Sequence, residues 1–170
     1  VEADLVLTKF EAGLGASAFL VGYFLTAPFF GSRADRGSRK GLIAGGVAVW
    51  SIATAVTGFA TGLWSLLAAR AFVGVGEAAY ATLAPTIIDD ITPPDRKNRA
   101  LAIFYLAIPL GSALGYMIGG TIDKHWGWRS AFFIVGGPGL VSALTCLLIV
   151  EPQRKLAAAK TKIRESLRTL

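Results

Sequence analysis

Cysteine occurs once in the 170 residues, at position 146, and histidine once, at position 125. One thiol closes no disulfide within the chain, and its simplest reading is a small packing residue. A lone imidazole with no cysteine beside it does not assemble the ligands of a zinc site. Charge is scarce as well, at 16% of residues against 54% hydrophobic. A mean hydropathy of +0.57 leaves too little polar surface for a water-solvated domain and belongs to a chain solvated by lipid. The apolar and polar alternation of a membrane barrel is missing. So are a Ser-His-Asp set and a phosphate loop, since "GVGEAA" at 74–79 lies inside an apolar run with no strand before it. The expectation is therefore an all-α membrane protein that is not an enzyme and carries no cofactor and no metal.

Four uncharged runs are present: Ala12–Ser32 of 21 residues, Gly41–Ala69 of 29, Ala100–Ile122 of 23 and Ser130–Val150 of 21. About 20 residues cross the hydrocarbon core as a helix, so the first, third and fourth each suffice for one span. The second is too long for one upright helix and contains "GFATG" at 58–62, whose two glycines and one threonine suit a tight turn. Splitting it there gives five expected spans, at 13–32, 41–57, 63–88, 100–122 and 130–150, the third running on through Arg70 and Glu77.

Basic residues in short loops stay on the cytoplasmic side. Arg33, Arg36, Arg39 and Lys40 follow the first span, Arg96, Lys97 and Arg99 the third, and six more lie in the tail, making 13 of the 17. The other side holds Lys9, Lys124 and Arg129. This alternation predicts an external N-terminus and a cytoplasmic tail. The net charge of +6 is then a signal of topology and not the footprint of a nucleic-acid partner. Residues 1–12, "VEADLVLTKFEA", read as an external loop that follows an earlier span missing from the chain. The tail 151–170 carries Leu156, Ile163, Leu167 and Leu170 on one helical face with basic residues opposite. It reads as a cytoplasmic amphipathic helix, lying on the membrane surface or linking two domains.

Glycines fall inside the spans, where small residues let membrane helices approach closely. Gly111, Gly115 and Gly119 make a stripe at every fourth residue, read as a packing face. Pro28 and Pro109 mark expected kinks, and "YFLTAP" at 23–28 faintly echoes "FYLAIP" at 104–109. Trp64, Trp126 and Trp128 read as interfacial anchors, and His125 among them as a loop residue, solvated or capping.

Two charges enter the third span. Seven residues at 100° each return Glu77 to nearly the azimuth of Arg70, two turns and about 10 Å along the axis. An ionised side chain at mid-bilayer costs at least ~2.5–3.5 kcal/mol, so both are expected to face a polar interior. Gly74 and Gly76 leave room beside them, and Tyr80 one turn beyond Glu77 offers a hydroxyl. The forked guanidinium suits a phosphate or carboxylate, and the glutamate can carry a proton. The alternative is a clasp that locks this helix to a neighbour. A second polar cluster, "GSRADRGSRKG" at 31–41, sets Asp35 among four cations, where it could cap a helix or pair with a neighbouring basic residue.

At this point the residues resemble a family. Gly31, Asp35, Arg36, Arg39 and Lys40 match the loop between the second and third helices of the major facilitator superfamily, with Ser38 where glycine is usual and Arg33 where an apolar residue is common. "RAFVGVGEA" is similar to the fourth-helix signature through Arg70, Gly74 and Gly76, and the glycine stripe to the antiporter signature, although Pro109 precedes it. More narrowly, "FLVGYFLTAPFFGSRADR" with "RAFVGVGEAAYATLAPTIIDD" resembles the Spinster branch, transporters of lysophospholipids or sphingosine phosphates. The resemblance implies a partial bundle, helices two to six of an expected twelve, whose partner is the missing C-terminal bundle of the same protein. It implies Glu77 as the proton-coupling site, Arg70, Glu77, Tyr80 and Tyr23 around a lipid-like amphiphilic substrate, and Asp35, Arg36 and Arg39 as a cytoplasmic gate. Protons and membrane lipids would be the other partners, and a bacterial inner membrane the location. A carrier of small organic anions is the alternative within transport, and a non-transporting scaffold or truncated product the alternative outside it.

Overall fold

A computed structural model describes residues 4–5, 7–34 and 37–151. Asp35, Arg36 and the amphipathic tail expected at 152–170 lie outside the described residues. Five helices follow one another: α1 (Lys9–Ala34), α2 (Arg39–Thr57), α3 (Leu63–Ile91), α4 (Lys97–Trp126) and α5 (Trp128–Cys146). All five are long and apolar enough to cross a membrane, and the chain is an integral membrane protein of all-α class.

Local chemistry sets the helix ends. Thr8 and Glu11 form a capping box ahead of α1: the amide and hydroxyl of Thr8 donate to Glu11 Oε2 at 2.8 and 2.9 Å, and the amide of Glu11 donates back to Thr8 Oγ1 at 3.2 Å. Ser38 caps α2, its hydroxyl accepting from the Gly41 amide at 3.3 Å. The turn at 58–62 is closed by Ser65, whose hydroxyl accepts from the amides of Thr61 and Gly62 at 3.1 and 3.2 Å. Several helices run past the uncharged runs. α1 starts at Lys9, α3 continues over Asp89 and Asp90 to Ile91, and α4 begins at Lys97. Helical hydrogen bonding does not stop where the hydrocarbon ends, so charged residues at the membrane surface extend each span.

The largest departure from the sequence reading is between α4 and α5. A loop expected at 123–129 is instead a corner of one residue, Gly127, at φ 77°. Glycine takes that left-handed conformation without a Cβ penalty, so one helix ends and the next begins without intervening chain. His125 is thus in the last turn of α4, its Nδ1 donating to the Thr121 carbonyl at 2.8 Å. Trp64 and Trp126 are exposed as interfacial anchors would be, but Trp128 is buried, donating its indole N–H to Asp4 at 2.9 Å beneath the Arg129 guanidinium. α5 ends at Cys146, four residues short of the expected limit, and Cys146 packs against the core of Ile43, Val47, Leu83 and Ile87.

The core is built on α3, which packs against α1 on one side and α2 on the other, while α2 also packs along α5. Both crossings of α3 are closed by glycine. A Cβ on Gly74 would stand 2.1 Å from the Phe19 carbonyl oxygen of α1, and one on Gly76 would stand 2.5 Å from the Gly46 carbonyl oxygen of α2. Backbone contact at that range holds by van der Waals packing where lipid supplies no hydrophobic drive between helices. α4 is different. Of its residues only Ile122 is buried, and nothing lies within 4 Å of the Cβ positions of Gly111, Gly115 and Gly119. The glycine stripe therefore packs against none of the other four helices.

Candidate functional site

The glycine crossings fix where the charges of α3 point. Gly74 is turned to α1 and Gly76 to α2, and at 100° per residue the azimuth shared by Arg70 and Glu77 falls in the sector between them, nearer the α1 side. An outward groove of Val49, Ile52, Val56, Ala68 and Phe72 lies on the opposite side of α3 and is almost wholly apolar. One face of the helix is thus apolar and the other carries the ionisable residues.

Arg70 is half-buried. Its side chain passes Gly15 of α1, whose missing Cβ leaves 3.8 Å to Arg70 Cγ, and its guanidinium lies 5.2 Å from the centroid of the Phe132 ring of α5. A cation over an aromatic face gains about 0.5–2 kcal/mol, which offsets part of its removal from water without neutralising it. Beside it opens a cavity of about 660 Å³, lined also by Ser112, Tyr116 and Asp123 of α4 and Trp128 of α5. Open Gly115 and Gly119 form part of its wall. No ion pair joins Arg70 to Asp123 or to Glu77 among the described residues.

Glu77, on the same face, is exposed and makes no hydrogen bond or ion pair among the described residues. The two charges stand two turns of helix apart and do not pair with each other among the described residues, and Arg70 meets a neighbouring helix through the Phe132 ring of α5. Neither tyrosine joins the Arg70 cavity. The Tyr80 ring packs between Trp50 of α2 and Phe104 of α4, with centroids 5.4 and 5.7 Å away. Tyr23 stacks along its own helix with Phe19 and Phe24.

Of the residues expected at a gate, only Arg39 is described, and it is held inside the bundle. Its guanidinium donates to Asp90 Oδ2 at 2.8 Å and to Thr86 Oγ1 at 3.3 Å, both at the end of α3. Glu151 approaches the same residue, accepting from the Arg39 amide at 2.6 Å. Lys97 pairs with the neighbouring Asp89. The sequence reading gave Asp90 and Glu151 no role. The available signal was an acidic residue at the basic end of a span in each case, "IIDDI" at 87–91 and "VEP" at 150–152.

Five membrane-length helices thus carry two ionisable residues on one face of α3, with an open cavity beside Arg70. The chain belongs to the Major Facilitator Superfamily, whose family model matches residues 1–170. It is similar to "Probable sphingolipid transporter spinster homolog 1" of Arabidopsis thaliana, 42% identical over 154 residues, which are 91% of this chain and 31% of that protein. "Protein spinster homolog 1" of Homo sapiens is 44% identical over 148 residues, 85% of this chain and 28% of that protein. Among solved structures it is similar to a bacterial homolog of the human lysosomal transporter spinster, in inward-facing and unoccupied conformation. That likeness has TM-score 0.70 and 30% identity, covering 81% of this chain and 34% of the other. The chain thus spans about a third of the length of the relatives it matches.

Proposed function

We propose that the chain is part of a proton-coupled secondary transporter that moves a lysophospholipid or sphingolipid-like amphiphile by alternating access. The observation that carries this reading is Arg70, a half-buried guanidinium with no anionic partner among the described residues, beside an open cavity with an aromatic wall. A permanent cation so placed suits a phosphate headgroup, and the aromatic side chains suit the apolar part of the same molecule. The name of the Arabidopsis relative, a sphingolipid transporter, supports the same class of substrate. The basic helix ends would face the cytoplasm, and the open stripe of α4 would meet the second helix bundle.

Glu77 would act on Arg70 through space. At about 10 Å and an effective dielectric near 20, two unit charges interact by about 1.7 kcal/mol, more than tenfold in an equilibrium constant. An ionised Glu77 opposes the binding of an anion at Arg70, and a protonated one does not. Proton and anionic substrate therefore favour each other, and linkage makes the effect reciprocal. In the full-length purified protein, Arg70→Ala is expected to weaken lysophospholipid binding at least about tenfold, the loss of one charge-assisted contact. Unchanged affinity would exclude Arg70 as the headgroup anchor.

A further inference from the structure

Glu151 closes the basic end of the bundle in a way that the substrate and proton residues do not explain. Its Oε2 accepts from the Ser38 hydroxyl at 2.5 Å and its Oε1 from the Arg39 amide at 2.6 Å. Both donors stand at the start of α2, where amides lack intrahelical acceptors and the helix dipole is positive. A carboxylate 112 residues away in sequence thus serves as a cap. The Arg39 side chain continues the connection, with Nε 3.9 Å from Glu151 Oε1 and the guanidinium bound to Asp90 at 2.8 Å. Lys40 Nζ donates to the Leu147 carbonyl at the exit of α5, at 3.4 Å. The ends of α2, α3 and α5 therefore meet around one carboxylate and one guanidinium, at the end of α3 remote from Arg70.

We infer that Glu151 is a positioning residue for transport, holding α2, α3 and α5 together at the basic end so that they move as one body. Alternating access works largely by rocking one rigid bundle against another. Slack between α3, which carries the ionisable face, and α5 would let a movement of α3 dissipate inside the bundle. This inference rests on the transport reading, and it predicts a split in kinetics: substrate binding near Arg70 is untouched, while turnover needs the clamp.

The test uses the full-length protein in lipid vesicles with a lysophospholipid as probe, comparing wild type with Glu151→Ala, Glu151→Gln and Glu151→Asp. For Glu151→Ala, hydrogen exchange over residues 38–43 is expected to rise about tenfold, as on loss of a helix cap. Maximal uptake is expected to fall about tenfold while binding stays within about twofold. Glu151→Asp should restore part of both, and Glu151→Gln, close in shape, keeps the experiment readable if alanine prevents folding. Unchanged exchange in Glu151→Ala and Glu151→Gln overturns the clamp. Raised exchange with undiminished uptake overturns its part in transport. A wild type that takes up no lysophospholipid counts against the transport reading, and the exchange arm still decides the clamp.

Discussion

Glu77→Gln in the full-length protein is expected to lower proton-driven uptake of a lysophospholipid at least about tenfold, the weight of the through-space interaction between the α3 charges. The substitution is nearly isosteric and removes only the ability to bind and release a proton. Glu77 is exposed and makes no hydrogen bond or ion pair among the described residues, so its replacement breaks no contact there. The apparent melting temperature should stay within about 2 °C of wild type, as for a surface substitution. Uptake driven by the lipid gradient alone should survive, because Arg70 keeps its charge. Counterflow and proton-driven uptake in proteoliposomes separate the two quantities. Equal loss of both would make Glu77 a substrate contact, and loss of neither would remove it from the mechanism.

Arg39→Ala is expected to destabilise the full-length protein by about 3–5 kcal/mol, the cost of leaving one partner of a buried ion pair uncompensated. The side chains of Arg39 and Asp90 are 7% and 14% exposed, so solvent screens this pair far less than the pairs on the surface. Asp95 with Arg96, at 73% and 77% exposure, is the internal contrast, and breaking that pair should change stability by less than about 1 kcal/mol. Replacing both Arg39 and Asp90 by apolar residues of similar size should cost less than Arg39→Ala alone, because no buried charge is then orphaned. Thermal unfolding in detergent of Arg39→Ala, Asp90→Ala and the variant carrying both measures the coupling. Additive losses would mean that the pair contributes no interaction energy.

The fold was largely legible because lipid imposes a simple rule: a helix must be long and free of charge where it meets hydrocarbon. Uncharged runs marked all five helices, and "GFATG" marked the turn between α2 and α3. The ends were less legible, since a helix such as α3 continues into the headgroup region over Asp89 and Asp90, where charge is no longer penalised. The corner at Gly127 was missed because six polar and aromatic residues around one glycine read as a loop, while one positive φ suffices to join two helices. At the site, the seven-residue spacing of Arg70 and Glu77 was enough to put them on one face. Periodicity did not tell that Tyr80 is held by Trp50 and Phe104, or that Arg39 finds Asp90 and Glu151. Those partners come from helices far apart in sequence, and only the packing of α2, α3, α4 and α5 brings them together.

The central claim is that protonation of one residue on α3 favours an anionic amphiphile at another. It is tested most directly by measuring lysophospholipid affinity of the full-length protein between about pH 5 and about pH 8, for wild type and Glu77→Gln. The account predicts affinity that rises about tenfold toward low pH in wild type and is flat in Glu77→Gln, fixed near the low-pH value. Affinity independent of pH in wild type, or an unchanged pH dependence in Glu77→Gln, would contradict it.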